Sequence, residues 1–178
     1  MTVKRRNALL AATGLAAAAA GAGWQAWRTR GAAPAPADAS AAPWLWPLQF
    51  ERPEGGLLAM ASLRGRPLLI NFWGTWCPPC IKEMPELDAF ARRFAPAGWQ
   101  VLGLAVDKAQ AVRDYLLRSP VSYTIAMAGF EGTELARTLG NTQAGLPFTV
   151  MLDGSGAIVQ RKSGATTLAE LAAWAGNS

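Results

Sequence analysis

The feature that most constrains this chain is a pair of cysteines between a predicted buried strand and a predicted helix. Cys77 and Cys80 are separated by two residues. The preceding segment Pro67–Trp73 is a short apolar run, typical of a strand buried on both faces. The following segment Pro78–Phe94 has apolar residues at helical spacing. Two cysteines this close form a disulfide only on a suitable backbone, and the first turn of a helix provides one. The sequence therefore predicts a redox-active Cys-x-x-Cys pair.

The composition removes most other kinds of catalytic and binding site. The 178-residue chain contains no histidine and only these two cysteines. It therefore lacks the residues for Ser-His-Asp and Cys-His systems, imidazole metal sites, four-thiolate zinc sites and multi-disulfide frameworks. The formal net charge is +5, but this excess lies within residues 1–30, and residues 31–178 carry equal numbers of basic and acidic side chains. A neutral body provides no electrostatic basis for binding nucleic acid.

The N-terminus is typical of an export signal or a membrane anchor. The basic residues Lys4–Arg6 precede an uncharged apolar run over residues 8–27, which is about the length of 20 residues that a helix needs to cross a bilayer. We predict that residues 1–30 form a signal peptide or an anchor helix, with the body of the protein outside the cytoplasm. Two outcomes stay open, because the run either holds the protein in the membrane or is removed by a signal peptidase. The Ala- and Pro-rich residues 31–43 form a predicted linker, and residues 44–178 form the predicted folded domain.

Predicted strands and helices alternate along this domain. Apolar runs predict strands, apolar residues three or four positions apart predict helices, and Gly-rich stretches predict turns. The alternation predicts an α/β fold in which helices flank both faces of a mixed central sheet. The predicted strands are Trp44–Phe50, Leu57–Met60, Pro67–Trp73, Gln100–Val106, Ser122–Met127, Phe148–Leu152 and Ala157–Arg161, and the predicted helices are Pro78–Phe94, Ala109–Arg118, Thr133–Leu139 and Thr166–Ala175.

The spacing within the motif assigns a role to each cysteine. With Cys77 as the N-cap of the helix, its sulfur lies at the positive end of the helix dipole, which favours the thiolate. This thiolate attacks a partner disulfide, and Cys80, one turn into the helix and less exposed, releases the mixed disulfide. Pro78 and Pro79 occupy the first two helical positions, where they shape the site and donate no N–H group to the sulfur. We therefore expect a less acidic Cys77, and a more reducing pair, than with other residues between the cysteines.

The sequence around the cysteines resembles a known family. Asn71–Cys80 and Lys82–Pro85 are similar to the active-site region of the TlpA/ResA-type membrane-anchored thiol–disulfide oxidoreductases of the thioredoxin superfamily. Ser62–Pro67 looks like the family's turn before its central strand, and Gly145–Phe148 looks like the loop that carries its cis-proline. The resemblance implies a thioredoxin-like fold, a location in the bacterial periplasm, and often a role in cytochrome c maturation or other reduction of extracytoplasmic disulfides. It also implies a membrane thiol transporter as the electron source, and we expect no cofactor and no bound metal.

Glu83 is a candidate for proton transfer. It lies three residues after Cys80, on nearly the same face of the helix, and matches the position of an acid that the family keeps near its active site. A partly buried carboxyl group there has a raised pKa and exchanges a proton with Cys80. The alternative is an exposed helical residue that pairs with Lys82, with Arg92 or with neither. Asn71 stands where thioredoxin has a buried aspartate, and an amide is no general base.

The resemblance also identifies residues that shape the site or contact the partner. It implies that Pro147 is a cis-proline packed against the disulfide. The backbone of Leu146 is then free to pair with an extended segment of the partner protein. Trp73 and Trp76 flank the motif, and either is a candidate for the docking surface. An aromatic residue beside a central strand is more often part of the core, so this choice stays open.

Two alternative functions stay open, and the spacing of the motif excludes a third. A disulfide-installing oxidant shares the fold and motif. A copper chaperone is a second alternative, because Cys77, Cys80 and Met84 supply soft ligands for Cu(I). A peroxidase of the related peroxiredoxin group needs a Pro-x-x-x-Thr-x-x-Cys setting, but Thr75 is only two residues before Cys77. With no third cysteine, we expect a monomer rather than a disulfide-linked dimer.

Overall fold

The computed structural model describes residues 42–176. The predicted signal or anchor segment (residues 1–30) and the predicted linker as far as residue 41 lie outside the described residues. Within the described part of the chain, none of the helices combines the length and the hydropathy needed to cross a membrane. The described part begins with a short 3₁₀ turn, Pro43–Leu45, which places Leu45 in the core.

One mixed sheet forms the centre of the described structure. Its strands are β1 (Gln49–Glu51), β2 (Leu57–Ala59), β3 (Leu68–Trp73), β4 (Gln100–Ala105), β5 (Thr124–Met127), β6 (Phe148–Leu152) and β7 (Ile158–Ser163). They lie in the order β2-β1-β5-β4-β3-β6-β7. Strands β3, β4 and β5 are parallel, whereas β6 is antiparallel to β3 and β7 is antiparallel to β6. The β1–β2 hairpin extends the other edge, antiparallel to β5.

Helices cover both faces of this sheet, as predicted. They are α1 (Pro78–Phe94), α2 (Ala109–Arg118), α3 (Gly132–Thr138) and α4 (Leu168–Ala175). Buried residues of α1, α2 and α4 belong to one hydrophobic cluster, and those of α3 belong to the cluster on the opposite face. The bounds predicted for α1 and α2 are confirmed. This arrangement is the expected thioredoxin-like fold.

Strand β3 positions the predicted site. All six of its residues are buried because its neighbours and both helical layers enclose it. Leu68, Ile70 and Phe72 join the cluster that includes α3, and Leu69 and Trp73 join the cluster that includes α1. Because side chains alternate along a strand, Asn71 also faces α1. The strand ends at the loop that leads to the cysteines.

The predicted first strand, Trp44–Phe50, was wrong over its first five residues. Strand β1 begins only at Gln49, after the 3₁₀ turn and after Pro47, which has no N–H group to donate to a sheet. Trp46 is buried and packs on the β6–β7 turn, where a Cβ added to Gly156 would lie 2.9 Å from the indole. Burial in the core, rather than alternation along a strand, explains Leu45 and Trp46, whereas Trp44 is exposed.

The remaining differences are confined to element ends. The last helix begins at Leu168 rather than Thr166, because Thr167 is its N-cap and forms a capping box with Glu170. Thr166 therefore lies outside the helix, in the loop that precedes it. The predicted bounds of β6, Phe148–Leu152, are confirmed, and the remaining predicted bounds lie within two residues of the observed ones.

Candidate active site

The cysteines lie at the carboxyl edge of the parallel strands. Val106 donates its N–H to the carbonyl of Trp73 at 2.8 Å, which extends the pairing of β3 and β4 by one residue. The chain then turns, and Cys77 donates its N–H to the carbonyl of Gly74 at 3.1 Å. Helix α1 begins at the next residue, Pro78. The motif thus occupies the strand-to-helix turn that the sequence predicts.

Cys77 and Cys80 form a disulfide with a Cα–Cα distance of 5.3 Å. Cys77 is the N-cap of α1, and its Sγ accepts the N–H of Cys80 at 3.3 Å. Pro78 and Pro79 fill the first two helical positions, so neither provides an amide donor to this sulfur. The exposed fraction is 4% for Cys77 and 1% for Cys80. The predicted N-cap position and the lower exposure of Cys80 are both confirmed.

Trp76 is the exposed aromatic residue beside the disulfide. This residue is 59% exposed, and its Nε1 donates to the carbonyl of Val106 at 3.0 Å. The indole covers Gly74, where an added Cβ would lie 2.7 Å from Nε1 of Trp76. Gly74 was not predicted as a site residue from the sequence, although tryptophans one position before it and two positions after it are a signal of close packing.

Trp73 is a core residue, which corrects the prediction that it contacts the partner protein. It has no exposed surface and packs against Tyr115 of α2 with a ring-centroid distance of 5.7 Å. The indole fits against Gly103 of β4, where a Cβ would lie 3.1 Å from its Nε1. A side chain enclosed in this way has no surface to offer a partner. Of the two tryptophans, only Trp76 has a surface for docking.

A carboxylate that the sequence analysis missed holds the loop before Cys77. Oδ2 of Asp107 accepts the N–H of Thr75 at 2.8 Å and the Thr75 hydroxyl at 2.6 Å. Asp107 follows β4, and Thr75 follows β3. Polar residues just after neighbouring parallel strands lie at the same sheet edge. This rule places Asp107 and Thr75 at one edge, but it does not identify them as partners.

Glu83 is buried in a network of hydrogen bonds from three separate segments. It lies on α1 and is 1% exposed. Its Oε2 accepts the side-chain amide of Asn71 at 3.1 Å, and this amide also donates to the hydroxyl of Thr149 at 3.0 Å. Its Oε1 accepts the N–H of Thr166 at 2.8 Å and the hydroxyl of the same residue. The alternative of an exposed glutamate is therefore wrong, and Arg92 pairs with Asp88 instead.

Burial dominates the electrostatics of this carboxyl group. Desolvation raises the pKa of Glu83 above its usual range, although the hydrogen bonds from Thr166 and Asn71 and the charge of Lys162 act in the opposite direction. The donors favour the carboxylate, but the cost of removing a charge from water is larger. Glu83 is thus a buried acid one turn along α1 from Cys80, with a pKa that burial raises.

The Leu146–Pro147 peptide bond is cis, as the resemblance implies. Phe148, the first residue of β6, pairs with Phe72 near the end of β3, so Pro147 lies at the same edge of the sheet as the cysteines. Leu146 is half-buried and packs against the cluster that contains Cys77 and Cys80. Among residues 42–176, no backbone hydrogen bond uses the N–H or the carbonyl of Leu146. These two groups are therefore available to an extended segment of another chain.

This arrangement can carry out dithiol–disulfide exchange. A disulfide closes the start of α1, a buried acid lies one turn away, and unpaired backbone groups lie at the same sheet edge. In the described region, no three His, Cys, Asp or Glu side chains are grouped so that they could hold a metal ion.

Curated relatives carry names that agree with this chemistry. Thiol-disulfide oxidoreductase ResA of Bacillus anthracis is 29% identical over 119 residues, which cover 66% of this chain and 66% of that protein. Thiol:disulfide interchange protein DsbE of Pseudomonas aeruginosa is 37% identical over 103 residues, which cover 57% of this chain and 53% of that protein. The chain thus spans just under two thirds of the length of ResA and about half of DsbE.

Solved structures and a family model agree with the fold. A thioredoxin-family thiol:disulfide interchange protein from Chlorobium tepidum has a TM-score of 0.64 and 26% identity, with 73% of this chain and 91% of that chain covered. StoA from Bacillus subtilis shares the fold, with a TM-score of 0.59 and 22% identity over 72% of this chain and 95% of its own. The model of the Redoxin family matches residues 34–173. These matches confirm the resemblance to the ResA-type proteins, and the chain belongs to the Redoxin family.

Proposed function

We propose that this protein is a thiol–disulfide oxidoreductase that reduces disulfides of other proteins with the Cys77–Cys80 dithiol. The observation that carries this proposal is the disulfide at the first turn of α1, in which the N-cap sulfur accepts the N–H of Cys80. An N-cap position gives that sulfur the helix dipole and a donor, and both favour the nucleophilic thiolate. The names of the ResA and DsbE relatives support the same chemistry.

The reaction proceeds by two exchanges. The Cys77 thiolate attacks one sulfur of the partner disulfide, and the partner's other sulfur leaves as a thiolate. The Cys80 thiol then loses its proton and attacks Sγ of Cys77, which releases the second partner thiolate. The partner gains two electrons and, after protonation, two thiols, while the protein is left with the Cys77–Cys80 disulfide. A donor must then return two electrons to this disulfide.

Glu83 acts in the second exchange as the acceptor of the Cys80 proton. Both side chains are buried, so bulk water has little access to that thiol. A carboxyl group with a raised pKa takes up a proton more readily than an exposed one, and returns it when the disulfide is reduced again. Asn71 and Thr166 hold the carboxyl group in a fixed position.

The partner binds as an extended segment beside Leu146. Its backbone pairs with the free N–H and carbonyl of Leu146, and this pairing brings its disulfide to Cys77. Trp76 is the aromatic surface next to this position, because it is exposed beside the motif. No cofactor takes part in this scheme.

The site of action is the bacterial periplasm, and cytochrome c maturation is the process that best fits the resemblance. The basic, apolar N-terminus supports export, either as a cleaved signal or as an anchor. A reductant outside the cytoplasm needs electrons from inside, so a membrane thiol transporter is the expected donor. The neutral body supports protein partners rather than nucleic acid.

The reduction potential of the Cys77–Cys80 pair tests the direction of the reaction. The full chain is equilibrated with glutathione buffers of known potential, and the thiols are counted after trapping. A potential near or below about −220 mV supports a reductant, whereas one near about −120 mV indicates an oxidant that installs disulfides.

The variant Cys80→Ala, with Cys77→Ala as its control, tests the roles of the two cysteines. Only Cys80→Ala retains the nucleophile, so only this variant should accumulate a mixed disulfide with the partner.

A further inference from the structure

The end of β4 holds the loop before Cys77 by side-chain contacts that do not involve α1. Oδ2 of Asp107 accepts both the N–H and the hydroxyl of Thr75, and its Oδ1 accepts the N–H of Lys108 at 2.7 Å. Asp107 is 9% exposed. The next loop residue, Trp76, donates its Nε1 to the carbonyl of Val106. The two residues that precede Cys77 are therefore both held by the residues that directly follow β4.

We propose that Asp107 is a positioning residue for the redox pair: by holding Thr75, it keeps Cys77 next to Cys80 after their disulfide is reduced. The inference rests on the proposed function, because it concerns the equilibrium between the disulfide and the dithiol of that site. It assigns to Asp107 an effect on how strongly the pair reduces its partner, in addition to its place in the fold.

Conformational entropy couples the Asp107 contacts to the stability of the dithiol. In the disulfide form, the S–S bond itself restrains Cys77. In the dithiol form, only the non-covalent contacts of the loop restrain this residue. Loss of the Asp107 contacts therefore frees more conformations in the dithiol than in the disulfide, which stabilises the dithiol. A more stable dithiol gives up its electrons less readily, so the pair becomes a weaker reductant.

The test measures the equilibrium of the full chain with glutathione. Protein dithiol and oxidised glutathione convert to protein disulfide and two reduced glutathione molecules, with two electrons transferred. For Asp107→Ala, we expect the equilibrium constant for disulfide formation to fall about 5-fold, equivalent to about 20 mV. For Thr75→Val, which keeps the N–H bond and loses the hydroxyl bond, we expect a fall of about 2-fold. Thr75→Ser keeps both donors, so it should retain the wild-type constant.

The chain contains a matched control far from the disulfide. Asp88 is 8% exposed, and its Oδ1 accepts the N–H and the hydroxyl of Ser122, both at 2.6 Å. This repeats the Asp107–Thr75 arrangement eight residues beyond Cys80 on α1. Asp88→Ala should lower the thermal stability but leave the glutathione equilibrium constant unchanged. A purely structural role for Asp107 would make the two alanine variants alike in both measurements.

The outcomes separate this inference from the proposed function. A wild-type pair that does not exchange with glutathione contradicts the proposed function, and the inference falls with it. Normal wild-type exchange with an unchanged constant in Asp107→Ala and Thr75→Val overturns the inference alone, and so does an equal shift in Asp88→Ala. If Asp107→Ala fails to fold, the comparison of Thr75→Val with Thr75→Ser decides. A lower equilibrium constant in Thr75→Val but not in Thr75→Ser supports the positioning of Cys77 by Asp107 through Thr75.

Discussion

Glu83 and Thr166 are joined through a single carboxylate oxygen. Oε1 of Glu83 accepts the N–H of Thr166 at 2.8 Å and also its hydroxyl. Thr166 precedes the N-cap of α4, so the contact connects the second turn of α1 to a loop 83 positions later in the chain. The other oxygen reaches Asn71 on β3. The acid beside Cys80 is thus fixed by segments that meet only in the folded protein, and its environment differs from that in the unfolded chain.

This difference predicts how Glu83 affects stability with pH. Its pKa is raised in the folded state, so the folded protein binds more protons than the unfolded chain above the unfolded value of 4.5. The contribution of Glu83 to the free energy of unfolding therefore falls as the pH rises from about 4.5 through the folded pKa. In Glu83→Gln this contribution is absent. We expect the stability of Glu83→Gln relative to wild type to increase over that range, as measured by urea unfolding of the oxidised proteins.

Glu86→Gln is the matched control for this measurement. Glu86 lies on the same helix and accepts the N–H of Leu168 at 2.8 Å, but it is only half-buried. The pH dependence of the Glu83→Gln stability is compared with that of this variant, measured under the same conditions. If the stability of Glu83→Gln relative to wild type is independent of pH, or decreases as the pH rises, the pKa of Glu83 in the folded protein is not raised.

The two prolines between the cysteines predict a change in thiol acidity. The N–H of Cys80 donates to Sγ of Cys77, whereas Pro78 and Pro79 have none to donate. Replacement of both prolines with alanine adds two N–H donors at the helix start, which stabilises the Cys77 thiolate. We expect the thiolate absorbance at 240 nm to appear at lower pH in the reduced double variant. Pro85→Ala, in the interior of α1, should leave the titration unchanged, and an unchanged or higher midpoint in the double variant contradicts the hypothesis.

The parts of the site that depend on neighbouring residues in the chain could be predicted from the sequence. A Cys-x-x-Cys pair between a strand and a helix fixes Cys77 as the N-cap, and the two prolines fit only the first turn. The bounds of α1 followed from apolar spacing. The cis state of Pro147 followed from the resemblance, because the local sequence alone favours the trans form.

The contacts between distant segments were beyond sequence reasoning. Nothing local identifies Thr166 as the partner of Glu83 or Asp107 as the partner of Thr75, because these pairs form only when the sheet and helices assemble. Trp73 can be buried because Gly103, on the adjacent strand, has no side chain to occupy the space of the indole. Spacing along the chain leaves such a residue as either core or docking surface.

The close contact of Gly74 with Trp76 predicts a cost for any side chain at this glycine. A Cβ at position 74 would lie 2.7 Å from Nε1 of Trp76, so the indole must move and lose its bond to Val106. We expect Gly74→Ala to lower the free energy of unfolding by about 1–3 kcal/mol in urea. Gly145→Ala is the control, because no atom lies within 4 Å of its added Cβ, and a loss below about 0.5 kcal/mol is expected. Equal losses in both variants would contradict this explanation.

The buried hydroxyl of Tyr123 predicts a substitution without a stability cost. Burial raises the pKa of Tyr123 and keeps the phenol neutral, and among the described residues this hydroxyl has no hydrogen-bond partner. A buried polar group without a partner has lost its water and gained nothing. We expect Tyr123→Phe to leave the free energy of unfolding unchanged or to raise it by up to about 1 kcal/mol. Thr149→Val, which removes a buried hydroxyl that accepts the amide of Asn71, should lower it by about 1–3 kcal/mol under the same conditions. A comparable loss in Tyr123→Phe would show that the phenol has a hydrogen-bond partner, such as a buried water molecule.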